Sequence, residues 1–157
     1  MRKVDLAYLA GFFDGEGYIG IRKHEKTNYL VRATVCNTNK WIVEWYRFAF
    51  GGSINLKSKY SPKHHDAWVW DICGKNAIAF LEAISPYLKT KRTQAELAIK
   101  FSKEKQCSHG GEVIPPLELF LREEYKKQLS QLNREGGKTN AARSKSGKDT
   151  TTYSHRG

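Results

Sequence analysis

Glu16 stands where a carboxylate could do chemistry, between Gly15 and Gly17 at the end of a predicted helix. Ala7, Gly11 and Gly15 precede it at spacings of four residues. Residues four apart share one face of a helix, so this face is almost bare of side chains and two copies could touch backbone to backbone along it. A twofold axis there would bring two Glu16 carboxylates together.

Two adjacent carboxylates repel each other unless a divalent cation binds between them. Oxygen ligands that leave coordination positions for phosphate and water suit Mg²⁺. The stripe of small residues ending at Glu16 therefore predicts metal-assisted hydrolysis of a phosphodiester by a pair of chains.

The composition agrees with an anionic partner. The chain has 157 residues and a formal net charge of +11, which favours DNA, RNA or an anionic membrane surface as a partner. No apolar run approaches the roughly 20 residues that span a bilayer, which excludes a membrane protein. Three widely spaced cysteines argue against a disulfide framework. We expect an intracellular, reducing compartment, with organellar, bacterial and phage origins equally open.

Hydrophobic periodicity predicts the elements that position Glu16. Asp5 is placed to cap a first helix from Leu6 to about Asp14. Alternating apolar residues then predict a hairpin of two strands over residues 18–35, with its turn at 26–28. Asn37-Thr38-Asn39 is a capping signal for a second helix, over residues 41–50.

A second strand pair follows this helix, over residues 53–59 and 67–72, and further helices are predicted over 75–84, 90–104 and from Pro115-Pro116 onward. The order α, β, β, α, β, β is an internal repeat. It predicts an α+β fold with one four-stranded antiparallel sheet and helices on its apolar face. Trp41, Trp45, Trp68 and Trp70 sit on apolar faces, so we expect them in the core.

The other face of the sheet is predicted to be basic. Between Tyr18 and Gly74, nine Lys and Arg stand against four acids, a surplus of +5. Residues 134–157 hold six basic and two acidic residues and no apolar periodicity. We therefore expect a single domain over residues 1–133 and a flexible basic tail over 134–157.

Residues Leu9 to Gly17 read LAGFFDGEG, which resembles the nine-residue motif of the LAGLIDADG homing endonucleases. Further on, residues 35–40 (VCNTNK) resemble the strand-to-helix junction of these enzymes, and residues 86–95 (PYLKTKRTQA) resemble their proline, lysine and glutamine segment. The resemblance covers roughly residues 6–104 and includes the αββαββα order. It implies a four-stranded DNA-binding saddle with helices on its other face.

The resemblance also implies a function. These enzymes cut both strands of DNA at a long site and leave short 3′ overhangs. One copy of the motif implies the homodimeric branch, with a near-palindromic site and with Ala7, Gly11 and Gly15 at the dimer interface. The implied cofactor is Mg²⁺, with Mn²⁺ as a substitute and Ca²⁺ supporting binding without cleavage. The expected genetic setting is an intron that encodes the protein, with intron homing as its role.

The resemblance implies a role for individual residues of this sequence, position by position. Glu16 matches the metal-binding acid, although the family most often has Asp there, and the carbonyl of Gly15 is a further ligand. Lys91 matches the active-site lysine, and Asn37 falls where an amide positions water. Trp41 occupies the place of a further basic residue, for which Lys40 is a substitute. Asp14 in the family caps the helix more than it binds metal.

The residues expected to contact DNA alternate along the strands of the basic face, since a two-stranded ribbon fits the major groove. They are Arg22, His24, Lys26, Asn28, Arg32, Thr34, Asn55, Lys57 and Lys59. Arg22, Arg32 and Lys57 suit guanine edges, and Asn28 and Asn55 suit adenine. Which of them read bases and which hold phosphates stays open at this point.

Two other functions use the same fold. One is an RNA-binding maturase that helps its host intron to splice, with intron RNA as the partner. The other is a DNA-binding regulator whose catalytic apparatus has decayed. Retention of Glu16, both motif glycines and Lys91 favours the nuclease over both alternatives.

Overall fold

The computed structural model describes residues 1–24, 28–57, 65–105 and 114–146, with side chains through Glu135 in the last segment. The elements are α1 (Lys3–Glu16), β1 (Gly17–His24), β2 (Asn28–Asn37), α2 (Lys40–Phe50), β3 (Ser53–Lys57), β4 (Ala67–Cys73), α3 (Gly74–Ile84), a 3₁₀ turn (Ser85–Tyr87), α4 (Arg92–Glu104) and α5 (Pro116–Ser146). The predicted αββαββα order is confirmed. Residues 26 and 27 of the predicted turn and most of the loop between β3 and β4 lie outside the described residues, and Asn28 is the first residue of β2.

The four strands form one antiparallel sheet in the order β1-β2-β4-β3, as predicted. Alternate residues of β2 are buried, namely Tyr29, Val31, Ala33 and Val35. The registers carry this alternation across the sheet, because Ala33 pairs with Ile19 of β1 and with Ile72 of β4. One face therefore faces the core and the helices, while the opposite face is left open.

The core joins this sheet face to α1, α2, α3 and α4. Its largest buried side chain, Trp70 of β4, packs against the rings of Tyr46 and Phe80. The hydroxyl of Tyr46 donates a hydrogen bond to the carbonyl oxygen of Leu9 at 2.5 Å, which ties α2 to α1. Burial raises the pKa of this phenol, so Tyr46 remains a hydrogen-bond donor.

The expectation that all four tryptophans lie in the core is wrong. Trp70 is fully buried and Trp45 and Trp68 are partly buried, but Trp41 is 62% exposed. The face of α2 that meets the sheet consists of Ile42, Val43 and Tyr46 instead. Helical spacing alone shows that Trp41 and Trp45 share a face of α2, and packing against the sheet decides which face becomes core.

Helix α1 begins earlier than predicted. The cap is Arg2, and Asp5 lies three residues further on, where its carboxylate accepts from the backbone N–H of Arg2 at 3.3 Å. Asp5 is therefore the inner member of a capping box and not the N-cap itself. Acidic residues are favoured both at the N-cap and in the first helical turn, so sequence alone does not fix which of the two positions Asp5 occupies.

Helix α5 continues past the boundary predicted at residue 134 and ends at Ser146. It lies along the edge strand β1, where the side-chain amide of Asn133 donates to the carbonyl oxygen of Ile19 at 2.9 Å. The expected basic tail thus begins as helix, and residues 147–157 lie outside the described residues. None of the helices in the described part of the chain is both long and apolar enough to cross a membrane.

Candidate active site and nucleic-acid face

The end of α1 presents Glu16 to solvent. Glu16 is the last helical residue, and the chain enters β1 at Gly17 with an extended backbone (φ −80°, ψ 158°). A Cβ on Gly17 would lie 2.4 Å from a ring carbon of Phe13 and 2.5 Å from its carbonyl oxygen. Only glycine fits this close approach, so the helix can pass directly into the strand and leave the Glu16 carboxylate at the junction.

Asp14 anchors the loop that leads into α4. Its carboxylate accepts from the backbone N–H groups of Lys89 at 2.6 Å, Lys91 at 2.9 Å and Thr90 at 3.2 Å. Partial burial acts to raise the pKa of Asp14, but these hydrogen bonds outweigh it and hold the pKa below its usual range. Asp14 thus joins the end of α1 to a loop more than seventy residues away in sequence.

The same loop delivers Lys91 to the end of α1. The Lys91 ammonium donates to the carbonyl oxygen of Asp14, next to the negative end of the helix dipole. Burial lowers the pKa of Lys91, and the negative charges of Asp14 and Glu16 oppose this effect. The structure therefore brings together the acid and the lysine that the sequence singled out, beside one helix terminus.

The predicted stripe on α1 is open. Ala7, Gly11 and Gly15 are all exposed, and a Cβ at either glycine would meet nothing within 4 Å. The buried residues of α1 are Leu9, Ala10 and Phe13, on another side of the helix. Within one chain, therefore, nothing in the described residues requires these positions to be small.

An aromatic stripe of α2 adjoins this face. Tyr8 of α1 stacks on Trp45 with ring centroids 5.5 Å apart, and Trp45 contacts Trp41. Phe48 lies on the same stripe and is 91% exposed. Tyr8, Trp41 and Phe48 together form an exposed apolar surface beside the glycines of α1, of a kind that marks interaction sites.

The open face of the sheet gathers the described residues that were expected to contact DNA. The cross-strand pairs His24 with Asn28, Gly20 with Arg32 and Asn55 with Val69 belong to this face. Its predicted members within the described residues are Arg22, His24, Asn28, Arg32, Thr34, Asn55 and Lys57, whereas Lys26 and Lys59 lie outside the described residues. The alternation of the sequence placed these side chains correctly.

Two contacts on or beside this face were not foreseen. Arg32 donates from Nε to Oδ2 of Asp71 at 2.6 Å and from Nη2 to the same oxygen, and this bonding raises the pKa of the Arg32 guanidinium. Lys105 donates to Oδ1 of Asn28 at 3.2 Å. Both partners come from distant parts of the chain, so no local pattern could reveal them.

Asn37 and Lys40 are engaged locally. Oδ1 of Asn37 accepts from the backbone N–H of Asn39 at 2.8 Å, in the turn that leads into α2. The Lys40 ammonium pairs with Glu44 at 3.1 Å and lies 4.8 Å from the ring centre of Trp68. No hydrogen bond among the described residues joins Asn37 to Glu16 or Lys91, so its water-positioning role stays a prediction.

Neither a family model nor a curated protein matches the chain. Solved structures do match its fold. The homing endonuclease I-CvuI, crystallised with the I-CreI target in 2 mM Mg, is 22% identical with a TM-score of 0.63, over 83% of this chain and 82% of that one. The archaeal intron-encoded homing endonuclease I-Vdi141I, complexed with DNA, is 15% identical with a TM-score of 0.66, over 84% of this chain and 86% of that one.

The chain has the LAGLIDADG homing endonuclease fold. A further structure with this fold, the homing endonuclease I-TnaI, is 21% identical with a TM-score of 0.54, over 83% of this chain and 97% of that one. The match thus covers more than four fifths of each of these three chains. The LAGFFDGEG segment lies at the end of α1, with its last glycine, Gly17, as the first residue of β1, at the helix-to-strand junction predicted from the sequence.

The donor set at the end of α1 suits a divalent cation only in part. Glu16 is an exposed carboxylate beside the Gly15 backbone, and both are hard oxygen donors of the kind that Mg²⁺ prefers. However, no group of three His, Cys, Asp or Glu residues able to hold a metal occurs in the described part of the chain. Glu16 is thus a single carboxylate donor at this helix end within the described residues, and a second Glu16 could come only from another copy of the chain.

Proposed function

We propose that the protein is a homodimeric, site-specific DNA endonuclease that hydrolyses a phosphodiester in each strand with divalent metal. The observation that carries the proposal is the meeting of exposed Glu16 and half-buried Lys91 at the end of one helix, beside an open sheet face of basic residues. The fold shared with homing endonucleases that were crystallised on DNA supports the same assignment.

Each side chain has a role in this proposal. Glu16 of each subunit and the Gly15 carbonyl would hold Mg²⁺, which would supply a Lewis acid for the phosphate and a lowered pKa for water. The Lys91 ammonium would stabilise the negative charge that grows on the phosphate, and its partial burial would strengthen that interaction. Asp14 fixes the loop of Lys91 through three backbone hydrogen bonds, so the lysine is held in place before substrate arrives.

Two open surfaces described above support the proposed dimer. The bare stripe of α1 permits close approach of two helices, and Tyr8, Trp41 and Phe48 provide apolar area beside it. A twofold axis along α1 would place two basic sheet faces side by side, so a near-palindromic site is expected. Such a surface would bind DNA with a steep dependence on salt.

The proposal is tested by selecting the DNA sequences that the protein binds and then measuring whether it cleaves them. A randomised double-stranded DNA library would be bound to the full chain in Ca²⁺, and the enriched sequences would be incubated with the protein in Mg²⁺. We expect double-strand cleavage with 3′ overhangs in Mg²⁺ or Mn²⁺, and binding alone in Ca²⁺. Glu16→Gln should lower cleavage about a thousandfold or more while binding persists.

Glu44→Gln is the matched control, because Glu44 is an exposed acid on α2, the corresponding helix of the second αββ unit. It should cleave at the wild-type rate. Absence of cleavage by the wild type on every selected site would rule out the endonuclease. Binding to intron RNA in preference to DNA would favour the maturase instead.

A further inference from the structure

Asp71 is an acid on a face whose other charges are positive. Among the strand residues that the structure describes, it is the one carboxylate on the open face, and the registers place it between Thr34 of β2 and Ser53 of β3. An unpaired carboxylate at the centre of this surface would repel DNA phosphates that come within a Debye length, about 10 Å at ordinary salt. Its presence on a DNA-binding face therefore needs a physical reason.

The contact with Arg32 provides one. Arg32 pairs with Cys73 across the strands and Asp71 pairs with Thr34, so the two side chains are diagonal neighbours. The side chain of Asp71 is 18% exposed and that of Arg32 is 36% exposed. The carboxylate is thus the more deeply placed partner, and the guanidinium is the one that a ligand on the open face meets first.

The geometry of this contact leaves a specific edge of the guanidinium available. Nε and one hydrogen of Nη2 are both directed at Oδ2 of Asp71, which is a side-on contact. The end-on edge, formed by Nη1 and the other hydrogen of Nη2, has no protein partner within the described residues. An end-on arginine fork matches O6 and N7 of guanine in the major groove. Fixing the guanidinium in advance also reduces the rotamer entropy lost on binding.

We propose that Asp71 is a positioning residue that holds Arg32 for bidentate recognition of a guanine, so that the pair determines specificity at one base pair of each half-site. This inference rests on the proposed function, because it takes DNA as the ligand of the open face. It assigns Arg32 to base readout, whereas a basic residue without such a partner can equally hold a phosphate.

Other roles for Asp71 make different predictions. If the ion pair only stabilised the sheet, its loss would weaken binding to all sequences alike. If Asp71 accepted directly from cytosine, Arg32 would not share its effect. Under the proposal, Asp71→Asn lowers the preference for guanine while binding to unrelated DNA stays constant or rises, because a negative charge has been removed.

The experiment compares base preferences, measured by selection from a randomised double-stranded library in Ca²⁺ with the full chain. The proteins are the wild type, Asp71→Asn, Arg32→Lys and the double variant, and thermal unfolding verifies that each is folded. Arg22→Lys is the matched control, since Arg22 is an exposed arginine of the same face with no ion pair or hydrogen bond among the described contacts.

We expect a guanine in each selected half-site of the wild type, and a fall in its preference of about fivefold or more in both single variants at the same position. The double variant should lose little more than either single variant, because both disrupt one interaction. Arg22→Lys should leave that position unchanged. Retention of the guanine preference by Asp71→Asn, or an effect of the two variants at different positions, would overturn the inference.

Failure of the two proposals can be distinguished. If the wild type selects sequences but does not cut them in Mg²⁺, the endonuclease proposal fails, while the base preferences still decide the role of Asp71. If the wild type cuts its sites and Asp71→Asn keeps the guanine, only the positioning role fails. If the wild type selects no sequence, both proposals fail. Should Asp71→Asn not fold, Arg32→Lys against Arg22→Lys still decides whether Arg32 reads a guanine.

Discussion

The two αββ halves of the molecule share one architecture and differ at the junction where helix becomes strand. Their second strands, β2 and β4, are neighbours at the centre of the sheet, and β1 and β3 form its edges. In the first half, α1 enters β1 directly and ends in Glu16. In the second half, α2 reaches β3 through Gly51 and Gly52, with φ values of 75° and 86°, and no acid stands there.

This difference distinguishes the features of the repeat that build the sheet from those that supply candidate catalytic residues. Both junctions turn the chain from a helix into an edge strand, so the repeat accounts for the shape of the sheet. Only the first junction carries a carboxylate, and among the residues that the structure describes it alone meets a loop that is anchored by Asp14 and brings in a lysine. Under the proposed function, a chain with one such junction would cut one strand, so cutting both strands would require the first half of a second copy.

The largest expected effect comes from blocking that second copy. Gly11→Leu places a side chain on the bare stripe of α1, where the subunit itself has open space. Because leucine is the better helix former by roughly 1 kcal/mol, the isolated subunit should not lose stability. We expect sedimentation to show a dimer for the wild type and a monomer for Gly11→Leu, and cleavage of a selected site should fall about a thousandfold or more.

Lys75→Leu controls for added apolar surface, because Lys75 is exposed in the first turn of α3, away from this stripe. It should leave both the dimer and cleavage unchanged. A Gly11→Leu protein that remained dimeric and active would show that cleavage does not require two subunits to pair through α1. The lack of an acid at the second junction would then not imply a partner on this helix.

A smaller effect is expected from Lys91, which is present only at the first junction. Lys91→Met should lower cleavage about a hundredfold through loss of charge stabilisation at the phosphate, with DNA binding retained. Its pKa is lowered in the fold, so burial makes the charged form less stable at neutral pH. Replacing it should therefore leave the free energy of unfolding unchanged or raise it, as urea denaturation can measure.

Lys89→Met is the comparison for this variant, because Lys89 is an exposed lysine of the same loop and donates only its backbone N–H to Asp14. A drop in cleavage of equal size in both variants would assign the effect to the general charge of the loop and not to the position of Lys91.

Much of the fold and of the first junction could be predicted from the sequence. Alternation along β2 placed Arg32 and Thr34 on the open face, because a strand has only two faces and the apolar residues identify one of them. The spacing of Ala7, Gly11 and Gly15 likewise fixed one stripe of α1. The motif then indicated Glu16, and its resemblance to a family indicated Lys91.

The parts that sequence could not give depend on contacts between distant segments. Trp41 and Phe48 follow the same helical period as a core stripe, and nothing local distinguishes a surface left for a partner from the interior. The pairing of Arg32 with Asp71 depends on β2 lying beside β4 rather than on any spacing along the chain. The role of Asp14 as an anchor likewise requires α1 and the α4 loop to meet.

The smallest expected effect comes from replacing Asp14, which tests whether its hydrogen bonds to the loop position Lys91 at the first junction. Asn at this position can accept fewer hydrogen bonds from the backbone N–H groups of Lys89, Thr90 and Lys91, so Lys91 should be held less firmly. We expect Asp14→Asn to lower cleavage about tenfold and the free energy of unfolding at neutral pH by about 1 kcal/mol, since the carboxylate is only partly buried. Asp5→Asn, at the other end of α1, should not affect cleavage.

The contribution of the Asp14 carboxylate to the free energy of unfolding depends on pH, and the direction of its pKa shift fixes the sign. The pKa of Asp14 in the folded chain lies below its usual 3.8. The stability from its ionised form is therefore complete above about pH 3.8, where both states are charged, and is lost as pH falls through the lower folded value. The difference in unfolding free energy between wild type and Asp14→Asn, measured by urea titration, should shrink across that acidic range. A difference that stayed constant down to the lowest pH at which the protein folds would mean that the Asp14 charge does not hold the loop.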